Sequence, residues 1–468
     1  MRLEQNQKVQ QYLNAVCSQI KCREVHGQIR LELLGHIEEN VEELLQTNIP
    51  EEEAIDQAIA QMGDALSLGK QLHQAHKPRT EWSLLALVGS FIGFGLLSMY
   101  TIEKGGLLKS VSGYTNNLLF SDYTSVSVFT NSLVLFLLGV MIAAGMYFFD
   151  YRKIKSCSLY LYLGTLLVWL TVFFFGPELN GRQMLNLFWI RIDFVMVTPF
   201  LLTIALAGIF SEWNWNQEKG SLKVFFLLAT GRRKCKFNYR AGSLLKAFVL
   251  LIIPCLFYIN SAVMAGAILY TIVFLILMRV SGAKLSRVFL VSMPIISYIL
   301  FFFLGHPYRL DRITVFMHPY RDPDGAGYLY TRLTETIHAA GLWGQGFTLP
   351  AGTLPEVHAD SIFAYVVYTF GWITGLAVLT LAVTLIIRMN HVARQAKDLY
   401  GRLLVTGLAG IFAVQFFWNI LMTLGLAPAF GFSLPFISYT GSQLIIQMAA
   451  VGLVLSVYRR KDMVGILK

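Results

Sequence analysis

Apolar residues along this chain follow two rhythms, and the change comes near residue 81. Up to that point they recur every third or fourth position, as in Ile29, Leu33, Ile37, Val41 and Leu44. Acids gather between Glu38 and Glu43 and again from Glu51 to Glu53. This spacing predicts amphipathic helices, each with one buried face. Beyond residue 81 the interleaved polar positions fall away and long apolar stretches begin. A bilayer core of about 30 Å takes roughly 20 apolar helical residues. Ten stretches of that order can be marked, at about 82–101, 129–149, 157–175, 193–210, 243–259, 262–279, 285–304, 362–388, 403–425 and 436–457.

The expected fold is therefore all-α: a membrane domain of about ten transmembrane helices over 82–468, preceded by a small cytosolic helical bundle over 1–81. The bundle carries 8 basic and 13 acidic residues and one sharp local feature, Met62-Gly63-Asp64. It resembles the helical prefix domains ahead of some Gram-positive permeases. A solvated bundle serving protein contacts or stability is the reading its pattern supports. No basic-then-apolar leader precedes the first span, so the N-terminus is expected to stay in the cytoplasm. With ten spans, the inside segments then hold 21 Lys and Arg against 8 outside, the asymmetry expected of a multi-pass plasma-membrane protein with both termini cytoplasmic. The 305–361 loop falls outside. Its length, with Arg321, Arg332, Tyr320, Tyr328 and Trp343 among its residues, marks it as a folded functional loop rather than a linker.

Composition agrees with this division. At 55% apolar and 14% charged, the 468 residues are too oily for soluble domains. The net charge of +10 would suit nucleic acid, but the basic residues flank apolar spans. They read as topology signals and contacts to membrane lipids, with no nucleic acid expected. None of the five cysteines falls in a segment placed outside, so disulfides are not expected.

Candidate chemistry collects at the outer ends of the later spans. In Leu354-Pro355-Glu356-Val357-His358-Ala359-Asp360-Ser361 the acids face outward where the loop enters the eighth span. A carboxylate there can accept the proton that a sugar hydroxyl loses on attacking an anomeric carbon. The same residues have a plainer use, with Asp360 or Ser361 capping the following helix. Arg309 and Arg312 suit the anionic headgroups of the membrane surface. From Gly425 to Ser442 the chain breaks helix at Pro428 and Pro435 and restarts. Irregular backbone at membrane depth is tolerated only against protein or a water-filled cavity, so a substrate vestibule and a packing kink are both open.

The Pro-Glu pair followed by His358, one residue and Asp360 resembles the SEDS family, the FtsW/RodA/SpoVE proteins of cell-wall glycan synthesis. So does Pro428 followed by Gly431-Phe432-Ser433-Leu434-Pro435-Phe436-Ile437-Ser438-Tyr439-Thr440-Gly441-Ser442. Further likeness lies in Pro307-Tyr308-Arg309-Leu310-Asp311-Arg312-Ile313, in Asp322-Pro323, and faintly in Asn180-Gly181-Arg182, Gln415 and Asn419. The resemblance covers 82–468 and is strongest after about 305.

It implies an inverting peptidoglycan glycosyltransferase that polymerises lipid II and releases undecaprenyl diphosphate, in division, cell shape or sporulation. Asp360 would be the essential acid. Arg309, Arg312, Glu356, His358, Ser438, Tyr439 and Ser442 would bind substrate, and a class B penicillin-binding protein would be the partner. No cofactor or metal site is implied, and the sequence does not decide whether a divalent cation takes part. The family usually has Thr at Ala359, Phe at Ser361, paired glutamates where Tyr368, Thr369 and Phe370 stand, and a lysine-containing run before its Pro-Glu pair. Those departures keep open a non-catalytic regulator or partner subunit of a synthase, and a lipid-linked-precursor transporter with Lys246 as its ionisable group.

Overall fold

The computed structural model describes residues 3–21, 26–47, 49–75, 77, 79–105, 128–179, 182–187, 190–213, 215, 240–261, 263–304, 314–347 and 354–461. They form two compact units, Trp82–Val457 and Met1–Glu81 with Tyr458–Lys468.

The smaller unit is built on α1 (Gln7–Ser18), α2 (His26–Gln46), α3 (Glu51–Gln61) and α4 (Ala65–Ala75). Val9, Leu13 and Val16 meet Ile29, Leu33, Ile37 and Val41 in its core, with Ile55 and Ala58 from α3. Leu44 packs at the core's edge. Asn6 caps α1 through Lys8 N at 2.9 Å, and Asp64 caps α4 through Ser67 N at 2.9 Å. The Met62-Gly63-Asp64 signature thus marks a helix junction. Gly63 takes φ +82, its carbonyl accepts the Tyr12 hydroxyl at 3.0 Å, and Asp64 opens the next helix.

The larger unit is helical from α5 (Trp82–Lys104) through α6 (Val128–Phe148), the short α7 (Arg152–Ser156), α8 (Ser158–Phe175) and α9 (Phe194–Ser211). It continues with α10 (Arg240–Asn260), α11 (Met264–Val280), α12 (Leu285–Leu304) and α13 (Tyr328–Ala339). It ends with α14 (Ile362–Phe370), α15 (Trp372–Gln395), α16 (Leu399–Thr423) and α17 (Ser442–Arg459).

Among the described residues eight helices are long and apolar enough to cross a membrane, and Met264–Val280 and Leu285–Ser297 are shorter apolar helices. Two details depart from expectation. The stretch marked at 362–388 is broken at Gly371 into α14 and α15, and the last span starts at Ser442 rather than near 436. Between α8 and α9 the fold is not purely α. Ribbons β1 (Glu178–Leu179) with β2 (Arg182–Gln183), and β3 (Leu185–Leu187) with β4 (Ile190–Ile192), pair antiparallel. A connection with no helix partner meets its backbone hydrogen-bond demand within itself.

Helices α9, α16 and α17 are the inner layer, each more than two-thirds buried over its span, whereas fewer than a third of the residues of α6, α8 and α15 are buried in the protein. Small residues allow the inner helices to approach closely. A Cβ on Gly208 of α9 would collide with Ser158 of α8, and one on Gly452 of α17 with Ala143 of α6.

Two prolines interrupt the core and side chains repair the damage. Pro254 in α10 cannot donate to the Leu250 carbonyl. That oxygen instead accepts the hydroxyls of Tyr162 from α8, at 2.9 Å, and of Tyr270 from α11, at 2.7 Å. Pro199 in α9 frees the Val195 carbonyl, which accepts the Thr198 hydroxyl at 2.7 Å. Thr198 in turn meets Tyr258 at 2.6 Å.

Candidate active site

Two irregular segments meet at one end of the bundle. The first, residues 354–361, is a run of turns leading into α14. Its shape depends on Glu356 at φ +48, a conformation that residues with a side chain seldom adopt. From there the Glu356 carbonyl accepts Ala359 N at 2.9 Å and Ser361 N at 3.2 Å. The second, residues 424–441, leaves the end of α16, turns through Pro428 and Pro435, and enters α17.

Side chains of the neighbouring helices meet several backbone and hydroxyl groups of the second segment, as polar groups at membrane depth require. From α16, the Trp418 indole N–H donates to Pro428 O at 3.0 Å, and Asn419 Nδ2 donates to Phe432 O at 2.5 Å. From α17, Gln447 Oε1 accepts Phe436 N at 3.2 Å, and Gln443 Oε1 accepts the Ser433 hydroxyl at 2.9 Å. Phe436 itself sits at φ +63. Left-handed backbone costs about 1–2 kcal/mol for a residue with a Cβ. Burial of its ring against Phe91 and Phe412 offsets that, since a buried phenylalanine contributes about 1.5–3 kcal/mol. Gly95 of α5 completes the seat, where a Cβ would come within 2.6 Å of Phe436 O.

The two segments are stitched through three consecutive carbonyls. His358 O accepts Tyr439 N at 2.8 Å, Ala359 O accepts the Ser438 hydroxyl at 2.8 Å, and Asp360 O accepts Asn419 Nδ2 at 2.9 Å. Asp360 is half-buried at the end of this stitched turn. The N-cap of α14 is Ser361, and its side chain makes no capping bond. Ser361 therefore does not fill the capping role weighed from the sequence, and Asp360 stands one residue before the cap.

The other expected site residues divide clearly. Ser438 has its proton committed to Ala359 O and its oxygen to Leu434 N at 2.9 Å. Ser442 Oγ accepts Asp193 N at 3.2 Å. Tyr439 is buried with its ring 6.3 Å from that of His358. His358 is 5% exposed, its Nε2 lies 3.7 Å from the exposed Glu356 carboxylate, and its Nδ1 has no partner. Burial pushes the imidazole below its ordinary pKa, and Glu356 opposes that shift. Arg309 and Arg312 lie outside the described residues. Gln443 and Gln447 were not singled out from the sequence, although two amides at i, i+4 spacing in an apolar span are costly enough to signal a role.

The site is framed on one side by the loop ahead of it. Gln345 N and Gly346 N donate to Tyr368 O and Thr369 O at 2.8 and 3.2 Å, and Trp372 N donates to Gly341 O at 3.1 Å. Gly344 and Gly371, at φ +83 and +88, meet where either Cβ would strike opposing backbone. Tyr330 of α13 accepts Ala429 N at 2.9 Å. The positions usually held by paired glutamates in the resembled family thus use their carbonyls to dock this loop.

Fold and site together define a polytopic integral membrane protein with an acid held in a stitched turn at the end of its helix bundle. The family model described as a cell cycle protein, FtsW/RodA/SpoVE, matches residues 92–463, and the chain belongs to that family. A probable peptidoglycan glycosyltransferase FtsW of Geobacter sp. (strain M18) is 29% identical over 66% of this chain and 81% of its own length. The peptidoglycan glycosyltransferase MrdB of Escherichia coli K12 is 34% identical over 47% of this chain and 61% of its own. A chain from a peptidoglycan synthase complex that coordinates polymerisation and crosslinking superposes with a TM-score of 0.62, at 22% identity, over 82% of this chain and 98% of that one. Thermus thermophilus RodA superposes at 0.54, with 20% identity, over 82% and 97%. These structural matches show the fold.

Proposed function

We propose that this protein is a peptidoglycan glycosyltransferase that polymerises lipid II, with Asp360 as the general base. The carrying observation is the stitched turn. In a chain of this family, it holds a half-buried carboxylate at the membrane-helix boundary, where a lipid-anchored sugar would present its reacting atoms. The Asp360 carboxylate takes the proton of the acceptor hydroxyl as that oxygen bonds to the donor's anomeric carbon. The bond from that carbon to the diphosphate oxygen breaks, the configuration inverts, and undecaprenyl diphosphate leaves. Arg309 and Arg312 are assigned to the diphosphate, where a guanidinium forms bidentate charge-assisted bonds. Glu356 and His358 modulate activity. Ser438, Tyr439 and Ser442 shape the floor of the site.

In this reading the protein is a multi-pass plasma-membrane protein with both termini cytoplasmic, the 305–361 loop faces outward, and a class B penicillin-binding protein is the partner. Residues 1–81 form an independently folding unit, dispensable for the membrane chemistry. A second reading, a non-catalytic subunit of a synthase, is favoured by Tyr368, Thr369 and Phe370 standing where the family's glutamates are usual. The deciding experiment is polymerisation of labelled lipid II by the purified full-length protein with its partner. Asp360→Asn, nearly isosteric but non-basic, should lower the rate by about 10²–10⁴ while lipid II binding is retained. A wild type that binds lipid II and polymerises none, with Asp360→Asn still supporting the cellular role, would establish the second reading.

A further inference from the structure

Asp360 has no regular secondary structure to hold it. It follows four turn residues that begin with a strained Glu356, and the helix it precedes has an N-cap whose side chain makes no capping bond. Donors meet the carbonyls of 358, 359 and 360. One of these is the backbone of Tyr439, one is the short hydroxyl of Ser438, and one is a side chain from the last turns of the inner helix α16, Asn419.

Asn419 differs from the other two. It is wholly buried on α16, an inner helix, and both protons of its amide are used, one on Asp360 O at 2.9 Å and one on Phe432 O at 2.5 Å. Since both neighbours are carbonyl oxygens, the nitrogen must face them, which fixes the orientation of the amide. Its own oxygen, Oδ1, is buried without a partner. A group that leaves its acceptor unmet in a bilayer interior carries a desolvation cost. What it supplies in return is a single rigid strut joining Asp360, the Phe432 turn and the bundle core. Thr423, one turn further along α16, donates to the Asn419 carbonyl at 2.8 Å.

We propose that Asn419 is the positioning residue of this site: it sets the height and direction of Asp360 through the Asp360 carbonyl, without touching substrate. The proposal rests on Asp360 being the base. A base works only within hydrogen-bond reach of the proton it takes, and a displacement of about 1 Å can cost about 10²-fold in rate. Freed from the strut, the turn keeps its bonds to Ser438 and Tyr439, so the chain stays folded while the carboxylate end loosens. Gln415, one turn earlier on the same helix and also buried, donates nothing to this turn and serves as the control.

The test compares Asn419→Asp, Asn419→Ala and Gln415→Leu in the full-length protein with its partner. Asn419→Asp keeps the size and, ionised, loses both donations; Asn419→Ala covers the case in which a buried charge prevents folding. Lipid II polymerisation is measured across pH, with hydrogen exchange of the 355–365 peptide in the same samples. Both Asn419 variants should lower kcat about 10- to 100-fold with KM for lipid II unchanged, move the acid limb of the pH profile, and speed exchange in that peptide. Gln415→Leu should leave the pH profile and the exchange in place. A structural loss alone would scale kcat without moving the profile, and that pattern, or unchanged exchange, overturns the proposal. A wild type that never polymerises lipid II refutes the base assignment instead, and faster exchange in the Asn419 variants would then still establish the strut.

Discussion

Three membrane helices should prove energetically coupled at one carbonyl, that of Leu250. Pro254 deprives it of its helical donor, and it accepts the hydroxyls of Tyr162 and Tyr270 at 2.9 and 2.7 Å. Replacing either tyrosine by Phe removes one bond but leaves the oxygen satisfied by the other. Hydrogen bonds between membrane helices are worth about 0.6 kcal/mol on average, so each single exchange should cost about that much. Removing both leaves a buried carbonyl unpaired, which costs about 1–3 kcal/mol beyond the sum of the two singles. Both tyrosines are at most 2% exposed, so water has little access to take their place. The assay is equilibrium unfolding in mixed micelles with a graded mole fraction of SDS, applied to the wild type, both singles and the double. A further arm adds Pro254→Ala, which restores an N–H to the Leu250 carbonyl and should abolish most of the excess. Strict additivity, within about 0.3–0.5 kcal/mol, or an excess that survives Pro254→Ala would refute this account of the kink.

Three further outcomes are expected. Burial holds the His358 imidazole below its ordinary pKa, while the unfolded chain protonates near 6.5. Stability should therefore be unaffected above that pH and fall as the pH drops from about 6.5 toward the folded value, because the unfolded state binds the extra proton. Thermal unfolding between pH 7 and 5 should show this loss, and His358→Gln should flatten it; an identical slope in the variant counts against the assignment. Gly371 takes φ +88 and ψ 169, where a Cβ would strike Leu342 O. Gly371→Ala should destabilise by about 1–3 kcal/mol from backbone strain alone and expose the 341–347 segment to limited proteolysis, and wild-type resistance would contradict the docking. For orientation, Trp343→Cys, at an 81% exposed position, should react with an impermeant maleimide on intact cells, while the exposed Cys157 reacts only after permeabilisation. The reverse order would invert the topology. Cys17 is buried, so its silence would not report sidedness.

Much of this architecture is legible in the sequence, for reasons of solvent. A span must be long and apolar because lipid offers no hydrogen bonds, and an amphipathic bundle must alternate because water covers one side of it. The N-terminal helices and most of the spans therefore declare themselves in local pattern, and the His358-Ala359-Asp360 and Gly431–Ser442 motifs are brought together in the fold. The break at Gly371 was hidden because the backbone it lies against belongs to Leu342 and Gly344, 29 and 27 positions earlier. The ribbons after α8 were hidden because backbone pairing leaves little trace in side-chain hydropathy. The two carbonyls that Asn419 meets were hidden as well, although the residue itself stood out in the family likeness. Only the tertiary structure brings Asp360, 59 positions away, and Phe432, 13 away, to its two protons. Hydropathy states which solvent each residue must face. Which partner satisfies a buried polar group depends on contacts between segments distant in the chain, and those exist only once the helices have packed.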